Sequence, residues 1–441
     1  MTVLPGGDSA RPGDTPDPDG PIPPAPHGGR TVDVVIIGAG PAGLAAAIEL
    51  RRLGVGRVLV ADREPAAGGV PRHCAHTGYG LRDLHRVMTG PAYARHCARQ
   101  AAQAGAEVLT GTTVTGWDDH CYVSMTSAAG IETVSAGAIL LATGCRERPR
   151  PARLVPGSRP PGVMTTGELQ QRVYLHGQRR PGRALVVGAE HVSYSAMVTL
   201  AHAGAEVVAL VTDEPRPESY AAFRLGAAVR WRVPVWTHTA VTGLSGRDRL
   251  TGAELTDLRT GAARPVPCDT VVFTGDWIPD HELARLAGLD MDAGSSGPVV
   301  DTTLATSAPG VYAAGNLVHA AETADVAALS GRHAARQIAA ALGRGRPVTG
   351  PGPPAVPVLV EAPLAWISPS AIRDPGTLPP RGRFVLRATE FRPRARLTVT
   401  QDGRPLATAR LSLRPARSLT LPAGWLPRVD PSGGPVRVRV L

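Results

Sequence analysis

Lysine is absent from this chain of 441 residues, so all 47 basic side chains are arginine. The formal net charge of +10 is also uneven: from Gly350 onward there are 14 arginines against 5 acidic residues, a net +9. No helix-turn-helix, zinc-finger or RNA-recognition pattern accompanies them, which argues against nucleic acid as the partner. Aromatic residues are scarce, at 4%, so the core must be packed by the aliphatic side chains of an Ala/Val/Leu-rich α/β protein. The five cysteines, Cys74, Cys97, Cys121, Cys145 and Cys268, are odd in number and contain no C-x-x-C pair. That excludes a zinc ribbon or a disulfide framework and suits a reducing cytosol. No apolar run reaches the roughly 18 residues of a membrane span, so a soluble, cytoplasmic protein is expected. Residues 1–30 are rich in Pro, Gly and Asp and lack the apolar region of a signal peptide, and they read as a disordered leader.

What is present is organised around VDVVIIGAGPAG, Val32 to Gly43. An apolar strand runs into Gly38, Gly40 and Gly43 with G-x-G-x-x-G spacing, Pro41 and Ala42 between them. The first glycine permits a tight turn, the second lets backbone approach a pyrophosphate, and the third packs helix on strand. A helix over Leu44–Leu53 follows, and the strand VLVAD ends on Asp62, at the distance from the glycines that ribose recognition requires. ALVVGAEHVSYSAMVTLAHAGAEVVALV repeats the strand–turn–helix–strand pattern from Arg183 to Val211, but as G-x-E-x-x-S. Gly188 keeps the turn, Glu190 replaces the second glycine and Ser193 the third. An anionic side chain thus stands where a pyrophosphate would come, and charge and bulk both oppose NAD(P). The alternative reading of Glu190 is a surface carboxylate at a helix start. Asp213 stands where a ribose 2′-hydroxyl would be met, and Arg216 is placed for a 2′-phosphate.

The strand AILLATG, ending on Thr143 and Gly144, and the prolines Pro149, Pro151 and Pro156 mark a crossing into an inserted domain. TSAPGVYAAGN, Thr306 to Asn316, and a helix from about Ala321 to Leu342 complete the first domain. Beyond them lie short β-prone segments with a turn signal at Gln401-Asp402-Gly403. The fold class is therefore α/β: two Rossmann-like dinucleotide-binding domains, the first discontinuous and the second inserted, plus a small C-terminal antiparallel β-domain. The expected boundaries are 31–155 and 281–345 for the first domain, 156–280 for the second and 355–441 for the third.

Together these motifs resemble the pyridine nucleotide-disulfide oxidoreductase superfamily of flavoproteins, over about Val32 to Leu342. GGVPRHCAHTGYGLRDLHRVMTGPAYA, ATGCRERPR and GNLVHAAETADVA look like the branch of flavin subunits found in opine oxidase, cyanide synthase and dye-linked proline dehydrogenase, and of partners of glycerol-3-phosphate-dehydrogenase-like proteins. The resemblance implies FAD in the first domain. Gly38, Gly40, Gly43 and Asp62 would hold its ADP half, Gly68 and Gly69 would pass the flavin end, and Gly315 and Asn316 would sit by the ribityl chain. Asn316 stands where the family has Asp, keeping an oxygen acceptor without the charge. The N-terminus of the following helix would offset negative charge on the cofactor.

The superfamily's redox cysteine pair is missing. Cys74 stands alone, with Tyr79 where a second cysteine would fall, which disfavours dithiol chemistry and leaves a single-thiol role or a packing role. His73, Cys74 and His76 are too close in sequence to surround a metal. His76 and His319 are candidates for proton exchange with substrate beside the flavin, against a role in hydrogen bonding alone. Arg146, Arg148 and Arg150 read as a solvated run, with an anion site as the alternative. The expected function is an FAD-dependent oxidoreductase, the electron-transfer subunit of a heteromeric dehydrogenase or oxidase acting on a small amine or hydroxy acid. Its partners would be a second flavoprotein or a 2Fe-2S protein. The alternatives are a free-standing NAD(P)H:acceptor reductase and a non-catalytic FAD-binding interaction protein.

Overall fold

The computed structural model describes residues 29–118, 122–179, 181–343 and 354–441. Cys121 and all but the last two residues of the expected leader lie outside them.

Strand β1 (Arg30–Ile37) is fully buried from Val34 onward because it lies inside a parallel sheet, covered on both faces. It pairs in parallel with β2 (Val58–Asp62) on one side and with Gly130–Leu141 on the other. Helix α1 (Pro41–Arg52) makes the crossover and starts at Pro41 rather than Leu44: proline is preset for the first helical position, where its missing N–H costs nothing. The sheet has seven strands, with Glu107–Thr110 at one edge and an antiparallel pair, Thr113–Asp118 and Tyr122–Ser127, at the other. The chain then leaves this sheet and returns to it at Val311–Ala313, beside Gly130–Leu141. The helix Ala324–Leu342 begins after Thr323 and lies across α1 so closely that a Cβ on Gly331 would stand 2.0 Å from the Ala42 carbonyl oxygen. Only glycine permits that crossing.

Between those segments a five-stranded parallel sheet is built from Val163–Thr165, Thr270–Phe273, Gly182–Val187, Ala205–Val211 and Val235–Trp236, in that order. A two-stranded link, Cys145–Glu147 with Trp277–Pro279, joins the two sheets. The C-terminal segment forms a sandwich of a five-stranded and a three-stranded sheet around its own core, in which Phe384 and Trp425 stack at 4.9 Å. Its hairpin Arg392–Gln401/Arg404–Leu413 turns on Asp402 (φ 49°) and Gly403 (φ 77°), the left-handed pair that a two-residue hairpin needs. The sandwich is not wholly antiparallel. Val356–Val360 and Val436–Val440, from its two ends, pair in parallel.

The sandwich touches both preceding domains. Arg373 pairs with Asp301 at 3.1 Å and Arg387 donates to the Ala320 carbonyl at 3.0 Å on the first. Arg417 donates to the Glu218 carbonyl at 2.6 Å and lies 3.9 Å over the Tyr220 ring on the second. No described helix is long and apolar enough to cross a membrane.

Candidate functional site

The three glycines of the first turn meet three different constraints. Gly38 has φ +108°, and a Cβ there would lie 2.4 Å from the Ala142 carbonyl oxygen. A Cβ on Gly43 would lie 1.9 Å from the Gly38 oxygen. Gly40 has an ordinary φ of −79°, and nothing lies within 4 Å of where its Cβ would be. Backbone conformation and packing therefore leave Gly40 free to carry a side chain, so its bareness serves whatever enters the space at the helix start. That space is an anion cradle: Gly40 caps α1 without a side chain, and the helix's first N–H groups point into it.

Other glycine turns close on the same point. Gly68 donates to the Ala39 carbonyl at 2.8 Å, and a Cβ on Gly69 (φ +61°) would meet the Gly40 Cα at 2.9 Å. Gly315 (φ +72°) abuts Ala42 from the far segment. Asp62 accepts from Ala39 N at 2.6 Å and Glu64 N at 2.8 Å, which fixes the turn and leaves its carboxylate lone pairs for a hydroxyl. Thr143 donates to the Asp280 carbonyl at 2.7 Å, while Gly144 (φ +80°) faces open space. The segments named from sequence are thus brought together around one helix start.

The reactive side chains are placed differently from expectation. Cys74 is buried and its thiol donates to Gln170 Oε1 at 3.2 Å. Burial pushes the thiol up to about 11, against a smaller opposing effect of Tyr79, the residue standing at the reductases' second-cysteine position. It stays protonated at neutral pH, so a thiolate role is disfavoured. Cys74→Ser is accordingly expected to leave the rate of substrate-driven flavin reduction within about twofold of wild type, measured by anaerobic stopped flow. His76 Nδ1 donates to the Thr77 carbonyl at 2.9 Å, which leaves Nε2 free. His319 does not serve as expected. It packs 4.9 Å from the Trp366 ring of the C-terminal sandwich, and burial, helped by Arg387, lowers its pKa to about 3. It is neutral and facing the wrong domain for proton exchange. The Asn316 amide is bonded on both sides to Glu322 backbone, at 3.1 and 2.8 Å, so it braces the loop before the helix. The positive end of that helix is already met by buried Asp325, which bonds Val326 N at 3.0 Å and pairs with Arg82 at 3.1 Å. Among the described residues no group of three His, Cys, Asp or Glu side chains could hold a metal.

At the second turn, Gly188 has φ +135° and Glu190 opens the helix His191–Ala203. The carboxylate is neither on the surface nor capping. Glu190 is 9% exposed, and its Oε2 accepts from Ser193 Oγ at 2.7 Å. Ser193 also bonds Thr274 Oγ1 at 2.8 Å. The two departures from the glycine pattern are therefore complementary: the serine holds the glutamate folded into the turn, over Gly188 and Gly275. Glu190 Oε1 is buried without a partner. Asp213 is exposed beyond the strand end, but Arg216 stacks 5.1 Å from Phe391 of the C-terminal sandwich instead of facing a ribose phosphate.

The arginine run is solvated in part: Arg146 and Arg148 keep nearly half of their side chains exposed, while Arg150 is buried. Arg146 pairs with Asp280 and Glu282, Arg148 with Asp276, and Arg150 donates to the carbonyls of Val155, Pro156, Gly157 and Ser158. Sequence reasoning missed the residue between them. Strand alternation turns Glu147 away from Arg146 and Arg148 into the protein, where it accepts from Gly167 N at 2.8 Å with Oε1 unpartnered. Burial, with repulsion from Glu190, raises it to about 7 from an ordinary 4.5. The charged form is disfavoured in the fold, so its cost is absent below about pH 4.5 and complete above about pH 7. Glu147→Gln should gain stability over wild type across that rise, on the order of 3 kcal/mol by pH 8, in urea denaturation at pH 4.5 and 8.

Two Rossmann-like domains joined by a short two-stranded link, one cradle open and the other filled, define a two-domain dinucleotide-binding fold. The chain belongs to the pyridine nucleotide-disulphide oxidoreductase family, whose model matches residues 32–331. It is 28% identical over 335 residues to an opine oxidase subunit from Agrobacterium tumefaciens (strain Ach5), covering 69% of this chain and 64% of that protein. It is 32% identical over 298 residues to a ferredoxin–NADP reductase of Salinispora tropica, covering 65% and 86%. Thioredoxin reductase of T. acidophilum shares the fold with a TM-score of 0.59 at 22% identity, over 70% of this chain and 98% of that one. The chain spans somewhat under two thirds of the opine oxidase subunits from Agrobacterium tumefaciens and Rhizobium meliloti that it matches. The open space at Gly40 fits the pyrophosphate of FAD.

Proposed function

We propose that this chain is the flavin-bearing electron-transfer subunit of a heteromeric dehydrogenase or oxidase that oxidises a small amine or hydroxy acid. The observation that carries the reading is Glu190, folded into the second cradle and held there by Ser193, which removes the ordinary entry for a nicotinamide donor. Likeness to the opine oxidase subunits supports both the subunit role and the amine class. In this reading residues 31–155 and 281–345 form the FAD domain, 156–280 a nicotinamide-type domain, and 355–441 a docking module. The cytoplasm suits the free thiols of Cys74, Cys97, Cys145 and Cys268.

FAD, when bound, supplies two-electron chemistry. The chain's own residues do the rest. Gly38 and Gly40 bring backbone and the α1 N-terminus to the pyrophosphate, Asp62 takes a ribose hydroxyl, and the Gly68-Gly69 strap bounds the flavin end. His76 Nε2 is the free imidazole nitrogen on the loop that follows that strap, and it would exchange the substrate proton. The electrons would leave to a second flavoprotein or a 2Fe-2S protein bound to the chain.

Similarity to ferredoxin–NADP reductases supports a second reading, a free-standing NAD(P)H:acceptor reductase. One experiment separates them: dye reduction by the purified yellow protein, alone and with its co-purified subunits, driven by N-substituted amino acids, 2-hydroxy acids, NADH or NADPH. The subunit reading expects turnover with an amine or hydroxy acid only when the other subunits are present. Turnover with NADPH by the isolated chain would establish the second reading.

A further inference from the structure

The outward face of the five-stranded sheet in the C-terminal sandwich carries a charge pattern with no internal purpose. Along Val436–Val440 the buried Val436 and Val438 alternate with exposed Arg437 and Arg439, so one face is core and the other is arginine. The neighbouring strand pairs Thr398 with Arg439 and Thr400 with Arg437, which puts Arg396, two residues before Thr398, on the same face. The next strand sets Arg410 directly opposite Arg396. All four arginines are exposed, and among the described residues none of their side chains makes an ion pair or hydrogen bond. Directly opposed like charges destabilise a sheet. Arg396 and Arg410 thus stand opposed without an ion pair among the described residues, a repulsion that a bound anion would relieve.

We infer that this arginine face binds a carboxylate-rich surface of a protein partner. The inference rests on the partnered reading of the function, and it names the surface and its chemistry. Guanidinium forks match carboxylates bidentately, which suits an all-arginine face. The sheet's shape disfavours nucleic acid. Five strands at about 4.8 Å spacing are far wider than the roughly 12 Å major groove, which admits a two-stranded ribbon. The named positions of this face are arginine and threonine, which offer no ring for a base to stack on. A membrane surface would need several apolar side chains to insert, and the strand beside Arg437 contributes Leu359 to that end. The opposite, three-stranded sheet of the sandwich meets the body of the molecule through Arg387. The five-stranded sheet meets the first domain at its edge strand, where Ala371 N donates to the Val300 carbonyl at 3.2 Å, and the four arginines lie on the three strands farthest from that edge, so a partner held there leaves this contact intact.

The test uses the full-length holoprotein and a labelled poly-L-glutamate peptide, followed by fluorescence anisotropy at physiological salt. Two combined variants remove the same charge from different places: Arg396→Gln/Arg410→Gln/Arg437→Gln/Arg439→Gln on the face, and Arg95→Gln/Arg99→Gln/Arg247→Gln/Arg249→Gln elsewhere on the surface. The face variant is expected to weaken peptide binding by about tenfold or more, and the control by less than about twofold. An unchanged visible spectrum and melting curve establish that both variants fold. Equal weakening in the two variants would overturn the inference, because binding would then follow net charge alone. Tighter face-dependent binding of duplex DNA, or of phosphatidylcholine vesicles containing phosphatidylglycerol, would overturn the choice of a protein partner. Failure of amine or hydroxy-acid turnover would count against the proposed function and leave this binding result standing.

Discussion

Gly40→Glu is expected to yield a folded but colourless protein. At this position φ is −79° and the Cβ site is open, so a glutamate enters without backbone strain or a clash. Its carboxylate would then sit at the start of α1 and satisfy the very N–H groups that the pyrophosphate needs. Repulsion between unit charges about 4 Å apart near a protein surface is about 4 kcal/mol, roughly a thousandfold in affinity. Flavin content after purification should fall by more than tenfold while far-ultraviolet circular dichroism is retained. Gly43→Ala separates this effect from folding: its Cβ would lie 1.9 Å from the Gly38 oxygen, so it should damage the fold as well as the colour. A yellow Gly40→Glu protein would mean that the pyrophosphate lies elsewhere.

The converse substitution should open the second domain. Glu190→Gly removes a carboxylate that fills the turn over Gly188 and Gly275, and glycine is well tolerated at a helix N-cap. Ser193 and Thr274 keep their mutual 2.8 Å bond, so the turn has a reason to hold its shape. By the same electrostatic magnitude, nicotinamide dinucleotide affinity should rise by at least tenfold, read by isothermal titration calorimetry with NADH and NADPH. Glu190→Gln belongs beside it. It removes charge but not bulk, and a gain with Gly alone would assign the closure to volume.

The first cradle was legible because its determinants are local. Three glycines, a proline and an aspartate lie within two strands and one helix, and each meets a constraint that the sequence spacing itself encodes. The same locality explains why the hairpin at Asp402-Gly403 could be read. Glu190 was visible as a departure from pattern, but its burial was not, because that depends on Ser193 and on Thr274 from a distant strand. His319 was misplaced for a related reason. The C-terminal sandwich that buries it begins some way along the chain, and sequence neighbourhood tied it instead to the helix start. The ion pairs of Arg146 and Arg148 and the burial of Arg150 were not legible, because partners such as Asp276 and Asp280 are assembled only when the two-stranded link forms. The charge alternation in Arg146-Glu147-Arg148 was itself a strand signal, and reading it would have turned Glu147 inward.

In the proposed reading one cradle accepts FAD and the other is closed by its own side chain. That reading is tested most directly by mixing the oxidised wild-type protein with millimolar NADH or NADPH in an anaerobic stopped-flow spectrometer and following the flavin absorbance. No bleaching is expected with either nucleotide on the time scale of turnover, and bleaching or binding only after Glu190→Gly. Rapid, saturable bleaching of the wild-type protein would contradict it.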